Sequence, residues 1–482
     1  MIRFSALAYI LGQFLLVLAG TMLVPLGLSL WTGSNPFPLA TSALICASSG
    51  AILLVIVPHP ANDLSQREGL LLVVMVWLAV SFFGALPFFL SPYFPSFIDA
   101  FFEAVSGFTT TGATVLADVE VLPRDLQFWR CFSHWLGGMG IVLLGIAILP
   151  LLVTGGMRLY RAEFSGAKSE KLKPRITETA IALWKIYVSL TVAQYAALRF
   201  AGMDSFDAIC HTFSTLGTGG FSTRTASIAA FSSPAIEAVI LVFMLLSGIS
   251  FTQHYRLWVE RRPQVFFTDL EVRFYLSVAL GASVITFLSL AIQSHYPVVG
   301  AIRSSLFQVV SIMTTTGFVT DDFERWLPLP QLILLTLMFV GGCTGSTAGG
   351  LKSARILLLS GVVNREFKRM VERRGVFAIR LGSQVIPEGA IQSLLNLVYL
   401  SFLVNFVACL LLAASGVDVL TSIAAVAATM FNVGPGLGHV GPTEHYAHLP
   451  HLAKWVLSLC MLAGRLEFYT ILVILTPAFW RK

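Results

Sequence analysis

Four segments of the chain repeat one pattern, a short amphipathic stretch that runs into a Thr- and Gly-rich turn. They read FFEAVSGFTTTGAT (101–114), ICHTFSTLGTGGFS (209–222), LFQVVSIMTTTGFV (306–319) and IAAVAATMFNVGPG (423–436). Aligned on one glycine, Gly112, Gly220, Gly317 and Gly434 coincide, spaced 108, 97 and 117 residues apart. Ser106, Ser214 and Ser311 share one offset before that glycine, where the fourth copy has Ala428. Self-similarity at a long period means one structural unit used several times. Four such turns meeting on one axis would let a single chain build a ring of backbone carbonyls for a bare cation.

The solvent for these turns is lipid. Hydrophobic residues make up 56% of the chain and charged residues only 12%, against about 25% charged in a soluble domain. Runs free of Asp, Glu, Lys and Arg recur at Phe4–Trp31, Pro38–Ala61, Gly69–Ile98, Cys131–Met157, Phe274–Ile302, Leu327–Leu351 and Gly389–Val417. A span needs roughly 20 such residues, so the chain reads as a polytopic membrane protein. The first run exceeds the ~7–15 residues of a signal-peptide core and reads as a retained helix. Cys46, Cys131, Cys210, Cys343, Cys409 and Cys460 all lie in apolar segments without a CxxC, and read as small buried hydrophobes.

The net charge of +6 reflects basic loops on one side of a membrane and is no nucleic-acid signal. Arg158, Arg161, Lys168, Lys171, Lys173 and Arg175 fill the connection 154–176. Arg365, Lys368, Arg369, Arg373, Arg374 and Arg380 fill 361–381, and Arg256, Arg261 and Arg262 lie between. The turns are poor in Lys and Arg. This places the basic loops and both termini in the cytoplasm, with the turns opening outward.

The expected fold is an all-α polytopic membrane protein of ten spans: two N-terminal helices (4–31 and 38–57) and four tandem helix–pore-loop–helix units around a central pore. The units are expected at about 68–155, with helices 68–90 and 128–153, then 177–256, 270–361 and 388–478. As domains, these are a two-helix extension 1–62 and pore repeats 63–165, 166–262, 263–375 (with a gating loop) and 376–482. The stretch Asp99–Thr109 reaches only half the hydrocarbon thickness at roughly 1.5 Å per residue. Its return path must be non-helical, which at membrane depth requires a water-lined or protein-buried place. A second mark repeats 25–30 residues after each turn glycine: Gly138, Gly248, Gly342 and Gly464 on the inner helices.

The turns carry no carboxylates; Asp99 and Glu103 precede the first one. A cation there must be held by backbone carbonyls. The candidates are Thr110 and Thr111, Thr218 and Gly219, Thr315 and Thr316, and Asn432 and Val433, two per loop for a large monovalent ion; divalent ions recruit carboxylates. The third inner helix contains Gly341-Gly342-Cys343-Thr344-Gly345-Ser346-Thr347-Ala348-Gly349-Gly350. Mid-helix Gly costs up to about 1 kcal/mol relative to Ala, so this run is not expected to be regular helix; close packing through small residues is the competing reading. Arg465 falls mid-way in the expected last inner helix, Trp455–Pro477. A charge there costs at least ~2.5–3.5 kcal/mol on insertion scales. It reads as an electrostatic barrier below the turns or as half of an ion pair with Glu467. Lys352 either faces the same vestibule or snorkels to the inner interface. His134 and His211 read as structural histidines.

The four turns, the GGCTGSTAGG run and the MLAGRLEF segment (461–468) resemble the Trk/Ktr/HKT superfamily of potassium transporters, most closely its TrkH branch, over nearly the whole chain. The resemblance implies one filter glycine per repeat (Gly112, Gly220, Gly317 and Gly434), K+ held by the eight residues above, and an intramembrane gating loop at 341–350. It also implies a homodimer in a bacterial inner membrane and a cytosolic TrkA-like nucleotide-binding ring as partner. The basic loops would serve that ring as docking surfaces or merely set topology. Two departures, TGGF in the second loop and Pro435 in the fourth, imply looser selectivity, with Rb+ and Na+ as further ions. No GxGxxG or Walker run places a nucleotide site in this chain.

The expected function is therefore a gated K+-uptake subunit, with a K+/H+ or K+/Na+ symporter as the alternative. An intramembrane enzyme finds no HExxH, GxSxG or paired Asp here.

Overall fold

The computed structural model describes residues 2–58, 64–148, 176–292, 296–373, 375–382 and 384–481. The expected boundaries at 62 and 165, the basic connection 154–175 and Arg374 lie outside these residues. The chain is mostly helical. The β structure among the described residues is a two-residue antiparallel pairing, Arg380–Leu381 with Gln384–Val385.

Two helices, Phe4–Thr32 and Phe37–Ile56, form an N-terminal hairpin. Four units follow in one order. The outer helices are Gln66–Phe89, Ile176–Phe200, Leu270–Ile292 and Glu388–Ala414. The pore helices are Phe97–Phe108, Ser205–Leu216, Val298–Met313 and Val419–Met430. The inner helices begin at Arg124, Pro234, Pro328 and His451. Among the described residues, six helices are long and apolar enough to cross a bilayer, or up to eight if each of two bent pairs is one span. The expected ten spans would also count the first inner helix, whose continuation past Ile148 lies outside the described residues, and the third, which is broken after Val340.

Each interruption sits at the glycine mark. The second inner helix ends at Ser247 and resumes at Phe251 after a 100° bend; the fourth ends at Arg465 and resumes at Glu467 after a 116° bend. The third stops at Val340, and helix returns only at Ser353. The first, Arg124–Ile148, runs through Gly138 unbroken. Arg465 therefore does not sit mid-helix: it is the last residue before a break, with Glu467 held at φ 57°.

The outer helices are largely apolar because one side packs on the pore helices and the other is exposed at the apolar outer surface. The pore helices are too short to span, and the C-terminal half of each lies wholly inside the protein. Their entrances are capped where the sequence permits. Ser96 accepts from the Asp99 amide, Asp204 from Phe206 and Asp418 from Thr421. Two buried ion pairs tie the first pore helix to inner helices: Asp99 to Lys454 at 2.6 Å and Glu103 to Arg130 at 2.7 Å.

The N-terminal hairpin packs backbone to backbone. A methyl group added at Gly50 would lie 2.8 Å from Gly12 O. Gly50→Val is therefore expected to cost about 1–3 kcal/mol by overpacking. This reads as a lower thermal midpoint in detergent, while transport by the surviving protein stays unchanged, because the contact is remote from the four turns.

Candidate functional site: a fourfold ring of backbone

Each pore helix ends in the same backbone device. Thr110, Thr218, Thr315 and Asn432 have φ of 55, 54, 56 and 55°, and the glycines two residues later have φ of 83, 79, 78 and 100°. Three of the four residues in the left-handed region are threonines, a conformation uncommon for any residue other than Gly. One hydrogen bond recurs in all four loops. The amides of Thr111, Gly219, Thr316 and Val433 donate to the carbonyls of Ser106, Ser214, Ser311 and Ala428 at 2.8–2.9 Å. The serine offset noted in the sequence is thus the site of a repeated backbone acceptor, which explains why alanine serves equally well.

The loops close into a ring. A side-chain methyl added at Gly112 would collide with the carbonyl of Gly219. One at Gly220 would strike Thr316 O, one at Gly317 Val433 O, and one at Gly434 would lie 2.6 Å from Thr111 O. Loop 1 abuts loop 2, 2 abuts 3, 3 abuts 4, and 4 returns to 1. Of the eight predicted carbonyl residues, Thr111, Gly219, Thr316 and Val433 set their carbonyls against these glycines, and Thr110, Thr218, Thr315 and Asn432 directly precede them in the chain. All four glycines line one outer cavity of about 90 Å³. Asn432, Arg465 and the stretch 344–352 line an inner one of about 130 Å³.

The loops are braced from outside the ring by a different polar group in each unit, nine residues before the glycine. Glu103 accepts from Thr114 Oγ1 (2.9 Å) and the Val115 amide (3.0 Å). His211 Nε2 lies 2.9 Å from Ser222 Oγ. Gln308 Nε2 donates to Asp321 O at 3.3 Å. The fourth unit has Ala425 there and uses Tyr446 instead, whose hydroxyl donates to Gly434 O at 2.8 Å. His134 stacks on Phe221 at 4.2 Å, with Nδ1 3.3 Å from Ser214 Oγ. Both histidines are structural in this sense.

The run 341–350 is irregular, as its glycine density predicts, and lies against the underside of the ring. Gly349 N donates to Thr315 Oγ1 (2.6 Å), Gly350 N to Phe431 O (3.1 Å) and Thr347 Oγ1 to Leu216 O (2.9 Å). Arg465 is 3% exposed and donates through Nη1 to Thr347 O (2.7 Å) and through Nη2 to Gly137 O (3.2 Å). The alternative pairing with Glu467 is not made: Glu467 accepts from Arg355 at 2.9 Å. Lys352 faces the vestibule, its ammonium bonded to Ala348 O. Sequence reasoning missed Glu271. Its carboxylate accepts from the amides of Thr344 (2.5 Å) and Ala354 (3.2 Å) and so ties the irregular stretch to the start of the helix that follows it. A lone acid near the start of an outer helix carries no sequence signal of that role.

The match to known proteins is of the same extent. The family model described as TrkH, cation transport protein, matches residues 39–482. The chain belongs to the TrkH family. It is 43% identical over 485 residues to the Trk system potassium uptake protein TrkH of Salmonella typhimurium, covering 100% of both chains. It is 37% identical over 422 residues to TrkG of Escherichia coli K12, covering 87% of each. The crystal structure of the potassium transporter TrkH from Vibrio parahaemolyticus superposes with a TM-score of 0.92 at 40% identity over the whole of both chains. The TrkH family assignment and the multi-pass membrane character are thus common to sequence and structure.

The ring contacts rank the glycines. Gly112→Ala, Gly220→Ala and Gly317→Ala force both an unfavourable φ and a collision with rigid backbone. Gly434→Ala meets its carbonyl less closely. Rates of Rb+ uptake are expected to fall at least about tenfold, ~1.4 kcal/mol, in the first three and less in the fourth.

Proposed function

We propose that this chain is the membrane subunit of a K+-uptake system and conducts K+ through the ring of backbone carbonyls. The single observation that carries this reading is the cyclic abutment of the four loops, each glycine against the carbonyl of the residue before the next glycine. The names of the relatives, potassium uptake proteins in Salmonella typhimurium and Escherichia coli, support the choice of ion. Thr110, Thr111, Thr218, Gly219, Thr315, Thr316, Asn432 and Val433 supply eight carbonyls to replace the hydration shell of K+. Each pore helix ends at its turn, so four C-terminal dipoles place partial negative charge toward the ring. A cation is thereby favoured without a carboxylate, which suits a monovalent ion that must also leave.

In this reading the stretch 341–350 is the gate. It lies directly beneath the ring, and Arg465 fixes it there while adding a positive charge to the cation path. Ten spans, cytoplasmic termini, a homodimer in a bacterial inner membrane and a cytosolic nucleotide-binding ring complete the proposal. The basic surface around 361–381 is the docking face for that ring. Arg365 and Arg369 there pair with Glu388 and Glu366, and among the described residues Lys368, Arg373 and Arg380 are exposed for a partner.

Uptake in cells lacking their own K+ systems tests the ring and the gate separately. Gly317→Ser is expected to lower the Rb+/Na+ uptake ratio at least about tenfold; a wild-type ratio with normal membrane levels refutes the carbonyl ring. Arg465→Ala is expected to raise cation flux severalfold, and unchanged or lower flux at equal protein level counts against the gate.

A further inference from the structure

Glu103 and Arg130 form an ion pair whose side chains are 0% and 1% exposed, at the outer edge of the ring. The guanidinium is divided among three partners. Nε donates to Glu103 at 2.7 Å, Nη1 to Ser222 O at 3.4 Å and Nη2 to Thr114 Oγ1 at 3.3 Å. Its plane lies over the ring of Phe221, 4.1 Å from the centroid. Phe221 and Ser222 directly follow Gly220, and Thr114 lies two residues after Gly112. One buried side chain therefore grips the outgoing strands of loops 1 and 2 together.

The tie continues around the mouth. The Tyr446 amide donates to Thr114 O at 2.8 Å, and its hydroxyl reaches Gly434 O in loop 4. On the other side, Val319 of loop 3 donates to Ser227 Oγ at 3.2 Å and accepts from the Ala229 amide at 3.1 Å. Polar contacts thus link the outgoing strands of all four loops, and the Arg130–Glu103 pair holds the joint between loops 1 and 2. Counted back eight residues from the inner-helix glycines, the positions matching Arg130 in the other units are Ile240, Leu334 and Val456. Only one quadrant carries the charge.

We propose that Arg130, held by Glu103, is a specificity-determining positioning residue that sets the spacing of loops 1 and 2 and hence the fit of the carbonyl ring to K+. This rests on the carbonyl-ring reading above. A guanidinium suits the task because its planar fork fixes several acceptors at once, which an ammonium does not. A ring that discriminates between ions by carbonyl geometry depends on how stiffly its second layer holds it. The pair is neutral as a whole, so it braces the mouth without repelling the ion. Breaking it from either side leaves an uncompensated charge, and the two breaks have opposite sign.

The test uses the full chain in cells lacking their own K+ uptake, with initial rates of Rb+ and Na+ uptake normalised to membrane-inserted protein. The wild type is expected to prefer Rb+; if it does not, the carbonyl-ring reading fails before this inference is reached. Arg130→Gln leaves Glu103 as an unpaired carboxylate at the mouth, and is expected to lower the Rb+/Na+ ratio at least about fivefold while Na+ uptake rises. Glu103→Gln leaves an unpaired cation and is expected to lower both rates. Arg130→Lys keeps the charge but loses the fork, and is expected to give an intermediate ratio. A wild-type ratio in Arg130→Gln overturns the proposal, as does an equal fall of both ions in both single variants, the signature of a purely structural role. Where Arg130→Gln does not reach the membrane, Arg130→Lys decides: a wild-type ratio overturns the proposal and a reduced one supports it.

Discussion

The structure depends on a steric constraint more than on any side chain. Each ring glycine lies so close to the next loop's carbonyl that no Cβ fits, and this holds around the full circle. The contact needs two left-handed residues per loop, one of them a threonine or asparagine. Such residues cost of order 1–3 kcal/mol each and persist only where surrounding structure fixes them. Here the fixing is done by the recurrent amide bond onto the pore helix and by the burial of that helix's C-terminal half. Non-helical backbone at membrane depth is tolerated because it is enclosed by protein and faces a cavity at each end.

The backbone is close to fourfold, but its support is not. The residue nine before the glycine is Glu103, His211, Gln308 or Ala425, and each unit meets the same need differently. The surroundings explain the divergence. The first unit packs against the N-terminal hairpin, the third carries the irregular stretch, and the fourth closes the circle through a long loop that contains Tyr446. Backbone requirements are shared by all four loops, whereas side-chain requirements are local. Repeats drift in sequence wherever only the second kind of requirement operates.

That division also explains what could be read from the chain alone. The four glycines, the pore helices before them and the irregular run at 341–350 were legible because each rests on backbone conformation, which Gly and Thr patterns report directly. Thr111, Gly219, Thr316 and Val433, four of the eight candidate carbonyl residues, abut ring glycines for the same reason. The break after Arg465 was not legible. Its sequence, MLAGRLEFYT, contains no helix breaker besides Gly464, and the bend falls where Gly464 lies against Met430 O of the fourth pore helix, a contact distant in sequence. Pairings such as Glu271 with the amides of Thr344 and Ala354 span 73 and 83 residues. Single acids and amides at such separations leave no periodic trace.

The irregular stretch has a consequence for movement. A helix would satisfy its backbone internally, but residues 341–352 satisfy theirs with neighbours. Cys343 N donates to Gly248 O and Gly345 O accepts from Phe251 N, both at the break of the second inner helix. Gly349 and Gly350 donate upward to loops 3 and 4, and Thr347 O is held by Arg465. Unpaired backbone groups in a dry interior cost a few kcal/mol each, so displacing the stretch requires water to take over several bonds at once. On the gating reading proposed above, water in the inner cavity would be a condition of displacement and not only its result. The neighbours that hold the stretch lie at the breaks in the second and fourth inner helices. On that reading a further bend there would break several of these contacts together, and inner-helix motion and release of the stretch would form one cooperative event.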